Sequence, residues 1–367
     1  MADPAALHAH LRDELAQMLA LIRRLTAVDT PSNAPAIADF ARGIADVLTP
    51  VGFTVHADGL RVELRREVAG APRALVLGHS DTVWPDGTAA AWPVRIEGDL
   101  LSGPGVGDMK ANVVMAAFAL RALAEQDALG AVRFLLVPDE ELGSPDSRDW
   151  IEAAAGGSDV CLGLEPARPG GGIVTARGAV GAVVVRARGV SAHTTEPDPV
   201  SAVSALAPLV APLEALSDRA VGTIATVGIL RGGSARQVVP DHAELHLDLR
   251  AADQPAADAL LRRVEEIVAA ASGDVVLEGG WRRPAYTAAA NGELYARAVA
   301  ASDAVGLPAF EVHEQGGSDV SFAGALGVPS LDSLGPITHE SCSRRERVEI
   351  ASIAARGAVL ATLLAAA

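Results

Sequence analysis

The chain has 367 residues, half of them hydrophobic, enough to bury a large core and to divide into two or three domains. Its formal charge of −16, with no long basic run, argues against nucleic acid and anionic membrane surfaces as partners. The only two cysteines, Cys161 and Cys342, lie in no CxxC pattern, so neither a disulfide framework nor a thiolate zinc site is suggested, and a reducing compartment fits.

The first 24 residues include Asp3, Asp13 and Glu14 and lack the charged-then-apolar order of a signal peptide. No run of 18 apolar residues follows. The expectation is a soluble cytoplasmic protein. Residues 7–27 carry Leu7, Leu11, Leu15, Met18, Ile22 and Leu25 at helical spacing, which predicts an amphipathic helix ended by Thr30-Pro31-Ser32. A second helix is predicted over 36–48, then short strands near 52–57 and 60–65.

The stretch Leu75-Val76-Leu77-Gly78-His79-Ser80-Asp81-Thr82-Val83 reads as a buried strand ending in a histidine and an aspartate. The carboxyl ends of strands are where open α/β sheets place their sites. His79 there is suited to metal, and Asp81 to receiving its imidazole N–H; a hydrogen-bonded turn histidine is the plainer alternative. The glycine-rich turn Gly103-Pro104-Gly105-Val106-Gly107-Asp108-Met109-Lys110 precedes a predicted helix over 111–125. Its spacing is neither GxGxxG nor GxxxxGKS, and an acid at the helix start would repel phosphate, so Asp108 reads as a ligand or as a helix-dipole carboxylate. A strand over 132–137 runs into Pro138-Asp139-Glu140-Glu141, and another over 160–164 ends in Glu165. Carboxylates at buried strand ends are costly unless they meet cations. A last strand, over 328–334, precedes His339. His79, Asp108, Glu140, Glu141, Glu165 and His339 thus form a set of N and O donors suited to zinc or a similar divalent ion, in which one bridging carboxylate would join two ions ~3.5–4 Å apart.

The segments LVLGHSDTV, SGPGVGDMKA, PDEELGS and LGLEPA, followed by the looser LGPITHE, carry a family resemblance. In order and spacing the chain resembles the dinuclear zinc metallopeptidases that include bacterial glutamate carboxypeptidase, acetylornithine deacetylase and succinyl-diaminopimelate desuccinylase, the first most closely. The resemblance implies two Zn²⁺ per chain: His79 and Glu165 on one ion, Glu141 and His339 on the other, Asp108 between them. It also implies Glu140 as general base, Asp81 as the partner that orients His79, and a cis Asp108–Met109 peptide.

On that footing the chain reads as an α/β protein with a mixed central sheet flanked by helices. The catalytic domain would occupy residues 1–177 and 283–367, interrupted at 178–282 by a ferredoxin-like βαββαβ lid and dimerisation domain. Its elements are expected over 180–188, 200–216, 222–230, 243–250, 256–271 and 274–278; the catalytic domain resumes with a strand over 309–314 and a final helix over 350–365. The resemblance implies a homodimer formed through this lid, with lid residue His193 contacting the scissile carbonyl. Arg250, Arg283 and the Gly316-Gly317-Ser318 turn match segments around the substrate's free carboxylate, which an arginine fork holds bidentately. The plainer alternatives are a lid salt bridge for Arg250 and a surface residue for Arg283. Three features depart from the pattern beside the side-chain pocket: Gln237 replaces Asn, Thr194 replaces Ala, and the segment 339–346 is longer. The activity implied is zinc-dependent hydrolysis of the amide bond in N-acyl amino acids or small peptides with a free C-terminal carboxylate. The alternatives are a small-metabolite deacylase or desuccinylase with the same site and a catalytically silent metal-binding member, for which an intact Glu140 would have no use.

Overall fold

The computed structural model describes residues 3–365. They divide into two compact units. The first runs to Ala176 and takes in 287–313 and the described chain from Ser318 onward; the second comprises Arg177–Tyr286 and Glu314–Gly317.

The first unit is built on a six-stranded mixed sheet in the order Thr54–Asp58, Arg61–Arg66, Ala131–Val137, Arg73–His79, Val160–Gly163, Ser330–Leu331. The first two strands pair antiparallel, and the second is antiparallel to Ala131–Val137. The remaining pairs are all parallel. The parallel strands are apolar on both faces: Leu75, Val76, Leu77, Phe134, Leu135 and Leu136 are all buried, as expected where helices cover both sides. Each such side chain contributes roughly 1.5–3 kcal/mol relative to exposure.

The helix Ala111–Glu125 is buried over nearly its whole length, and Ile350–Leu364 packs against it. Small residues allow that close approach. A Cβ on Gly357 would stand 3.1 Å from Leu11 Cδ1 and 3.2 Å from Met115 Cγ. The predicted helix over 7–27 is two, Pro4–Asp13 and Leu15–Thr26, meeting at Glu14, whose carboxylate pairs with Arg121. Glu63, buried on the strand Arg61–Arg66, is held by two guanidinium groups: Arg65 at 2.9 Å and Arg133 at 2.6 Å. Burial alone would raise its pKa, but these hydrogen bonds outweigh it and lower the carboxyl to about 2. A smaller antiparallel sheet, in the order Thr338–His339, Arg347–Glu349, Leu100–Ser102, Arg95–Glu97, carries His339.

The second unit has a four-stranded antiparallel sheet in the order Ile224–Gly232, His242–Ala251, Ala179–Arg188, Asp274–Arg283. With its helical segments the chain order is βαββαβ. Strict alternation of buried and half-buried residues along Ala179–Arg188 turns Val183, Val185 and Ala187 toward a core shared with Leu245, Leu247 and Leu249. The helix expected over 200–216 is broken into Ala202–Leu206, Ala207–Leu209 and Val210–Glu214. Pro208 and Pro212 lack the N–H that a continuous helix would need there. The last strand runs on to Arg283, five residues past its expected end.

Candidate metal centre

Register brings the acidic residues together. In the parallel pair, His79 stands level with Val137, so Glu140 and Glu141 begin just beyond the same sheet edge. On the other side Leu77 stands level with Gly163, which brings Glu165 to that edge as well. Asp108 arrives from the glycine-rich turn, and its peptide bond to Met109 is cis. Glycine is needed in this turn for space: a Cβ on Gly107 would lie 2.3 Å from Thr338 Cγ2, and one on Gly105 2.3 Å from Thr82 Cγ2.

Two overlapping groups of potential donors result, His79 with Glu140 and Glu165, and His79 with Asp108 and Glu141; within each, the donor atoms lie within 4.8 Å of one another. His79 is 1 % exposed. Its Nε2 lies 3.1 Å from Asp108 Oδ1, and its Nδ1 lies 2.9 Å from the Asp81 carbonyl and 3.4 Å from Asp81 Oδ1. Asp81 does more than orient the imidazole. Its carboxylate also accepts the N–H groups of Glu140, at 3.3 Å, and Glu141, at 3.1 Å, and the Ser32 hydroxyl at 2.6 Å. One buried side chain therefore ties the two strand ends together.

The electrostatics call for cations. Burial, with Asp108 and Glu140 close by, raises Glu141 to about 8 and pushes Glu165 well above the usual carboxylate range. Glu141 Oε1 is buried with no hydrogen-bond partner. Burial would lower the His79 pKa, but Asp108 and Asp81 outweigh it and raise it. A crowded, partly unsatisfied set of carboxylates around one buried imidazole fits a pair of divalent ions: the donors are the N and O atoms that zinc accepts, and each ion would relieve the mutual repulsion.

His339 belongs to neither donor group; its Nε2 lies 2.7 Å from Glu349 Oε1. Two further groups went unnoticed in the sequence. Cys342 donates its thiol to Asp108 Oδ2 at 3.3 Å, and the buried Glu346 accepts the N–H groups of Gly107, at 2.7 Å, and Asp108, at 3.1 Å. The added length of the segment 339–346 was the one available signal, and it did not say which residues would turn inward. Ser318, matched to a substrate-binding turn, is buried with its hydroxyl on Asp332 Oδ2 at 2.5 Å.

The other matched residues lie in the second unit. His193 is exposed on the short strand Ala192–His193, with Nδ1 2.8 Å from Thr195 Oγ1. The exposed Gln237 accepts the Thr194 N–H through its carbonyl at 3.2 Å, and Val238–Val239 pairs with Ala192–His193, so these departures sit side by side. Arg250 forks onto Asp248 at 2.9 and 3.0 Å, which is the salt-bridge alternative. Arg283 is 4 % exposed, not a surface residue. A Cβ on Gly317 would lie 2.5 Å from Arg283 Cγ, and Gly316 accepts from Arg177 Nη1 at 2.9 Å, so the glycine turn packs directly on the arginine.

Carboxypeptidase G2 of Pseudomonas sp. (strain RS-16) is 28% identical over 373 residues, covering 96% of this chain and 89% of that protein. A succinyl-diaminopimelate desuccinylase of Granulibacter bethesdensis is 29% identical over 297 residues, 73% of this chain and 74% of its own. The crystal structure of the aminopeptidase PepT from Bacillus cereus superposes with a TM-score of 0.77 over 95% of this chain and 98% of its own, at 20% identity, which shows the shared fold. Residues 75–366 match peptidase family M20/M25/M40, and the chain belongs to that family of hydrolases.

Proposed function

We propose that the protein is a two-zinc amidohydrolase that releases amino acids from N-acyl amino acids or small peptides bearing a free C-terminal carboxylate. The observation that carries this reading is the convergence of Asp108, Glu140, Glu141 and Glu165 on buried His79 at the ends of three parallel strands. His79, Asp108, Glu141, Glu165 and His339 would hold the ions, with Asp108 between them. For His339, the Glu349 carboxylate 2.7 Å from Nε2 would orient the imidazole. When bound, the ions supply Lewis acidity toward water and the amide carbonyl.

The chain's own groups do the proton work. Glu140 takes a proton from water as its oxygen attacks the amide carbon, and returns it to the departing amine when the C–N bond breaks. Asp81 keeps Glu140 in place through its backbone N–H. His193 donates to the developing oxyanion from the inserted domain, which acts as lid and dimer surface. Arg283 receives the substrate's carboxylate; Arg250, its fork filled by Asp248, supports the surrounding strand. Gln237 and the Gly316-Gly317-Ser318 turn border the same substrate.

The test is a panel of N-acyl amino acids and their C-terminal amides with the zinc-loaded protein. Free acids should be cleaved about 30-fold to 10³-fold faster, because an amide cannot make the charge-assisted, bidentate contact that a carboxylate makes with a guanidinium. Equal rates for acid and amide would remove the carboxylate from the proposal.

A further inference from the structure

The short strand Arg347–Glu349 is preceded by a carboxylate that no step of the proposed hydrolysis uses. Glu346 is fully buried, at 0 % exposure. Its Oε1 accepts the backbone N–H groups of Gly107, at 2.7 Å, and Asp108, at 3.1 Å. Its Oε2 is buried with no hydrogen-bond partner. No cation pairs with the side chain among the described residues, since the neighbouring Arg345 and Arg347 pair with Glu340 instead. A buried carboxylate without a cation is costly. The one task its geometry performs is to grip two successive N–H groups of the turn that carries Asp108, through charge-assisted bonds.

That turn is held from two sides. Beyond Asp108, the buried Lys110 ammonium donates to the carbonyls of Val28, at 2.7 Å, and Leu25, at 3.3 Å, which fixes the turn to the end of the helix Leu15–Thr26. Between the two anchors the Asp108 oxygens face different partners: Oδ1 lies 3.1 Å from His79 Nε2, and Oδ2 lies 3.3 Å from Cys342 Sγ. A carboxylate that bridges two ions needs this divergence, and a side chain on a turn keeps it only if the backbone beneath is fixed. The position of Glu346 is itself set by a sheet. The next residue, Arg347, is level with His339 on one side and with Ser102 on the other. The same strand ends in Glu349, whose carboxylate lies 2.7 Å from His339 Nε2.

We infer that Glu346 is a positioning residue for the metal centre, an inference that rests on the two-ion reading proposed above. By its reach rather than by its charge, it fixes the backbone at Gly107 and Asp108 so that the Asp108 side chain stands between the ions. Glu346 touches neither metal nor substrate in this role; it acts through Asp108 alone.

Two conservative variants separate reach from charge. Glu346→Asp keeps the charge and withdraws the acceptor by one methylene, whereas Glu346→Gln removes the charge and keeps an oxygen at the same reach. In competitive chelator titrations with Zn²⁺, Glu346→Asp should bind both ions about 10- to 100-fold more weakly, because Asp108 lies between them, and Glu346→Gln should retain most of the affinity. A merely structural role predicts a lowered Tm with both affinities unchanged, and a role through charge predicts the reverse order of the two variants. Either result overturns the inference, as does an equal loss in both. A second readout needs no metal: in the metal-free protein, amide hydrogen exchange over residues 103–110 should quicken in Glu346→Asp and stay close to wild type in Glu346→Gln. Unchanged exchange in Glu346→Asp overturns the positioning role. If the wild type takes up no metal while exchange over 103–110 follows the reach of the acceptor, the two-ion reading has failed and the hold of Glu346 on the Asp108 turn stands.

Discussion

The donor cluster of the first unit and the exposed polar residues of the second are built on different principles. In the first unit, His79 closes one parallel strand, Glu140, Glu141 and Glu165 follow just beyond the ends of its two neighbours, and Asp81 ties two of those ends together. In the second unit, His193 and Gln237 are exposed, and the bonds that hold them run to neighbouring loop residues such as Thr194 and Thr195. Costly charge is clustered at the ends of a buried sheet, whereas the exposed residues of the second unit lie on loops and short edge strands.

That contrast can be broken most sharply at Glu140. It shares the donor cluster yet is proposed as base, so Glu140→Gln should keep about two metals per chain by elemental analysis while turnover falls ~10²–10⁴-fold. Asp108→Ala should lose metal and activity together, and chelation should abolish turnover until Zn²⁺ is restored. A Glu140→Gln protein with near-normal activity would end the mechanism. On the inserted domain, His193→Ala should lower kcat by ~10²–10³ with metal content intact, since removing an oxyanion donor leaves the centre untouched. Loss of metal in that variant would erase the division of labour between the units.

The contrast is sharpened by Glu349, which was not among the expected ligands. If it orients the His339 imidazole, Glu349→Ala should weaken binding of one ion by about 10- to 100-fold in a competitive chelator titration and leave the other alone. Unchanged affinity for both ions would detach Glu349 from the centre. The smallest effect concerns stability, far from either site. Glu63 has its folded pKa lowered from 4.5 to about 2, so its ionised form stabilises the fold above pH 4.5, and that contribution is lost as pH falls toward 2. Glu63→Gln should cost about 1–3 kcal/mol near pH 7, and its Tm should converge on that of the wild type as pH drops through this window. Parallel Tm curves down to pH 2 would contradict the assignment.

Much of the architecture was legible because strands and helices write their periods into the chain. Buried parallel strands read as short apolar runs, and several were followed within a few residues by an acid or a histidine, so candidate donors could be proposed without knowing the sheet order. The βαββαβ order of the inserted segment was legible for the same reason, whereas the fracture of its first helix followed from Pro208 and Pro212, which the apolar pattern masked. What side chains do after they leave the backbone was not legible. The grip of Asp81 on two distant N–H groups, the turn of His339 toward Glu349 and the contact of Cys342 with Asp108 all join residues whose spacing carries no signal. Local propensity and hydrophobic period are properties of neighbours in sequence, and these determined the elements. Hydrogen-bond partners and crowded charges depend on which strand ends meet in space, and only the tertiary structure decides that.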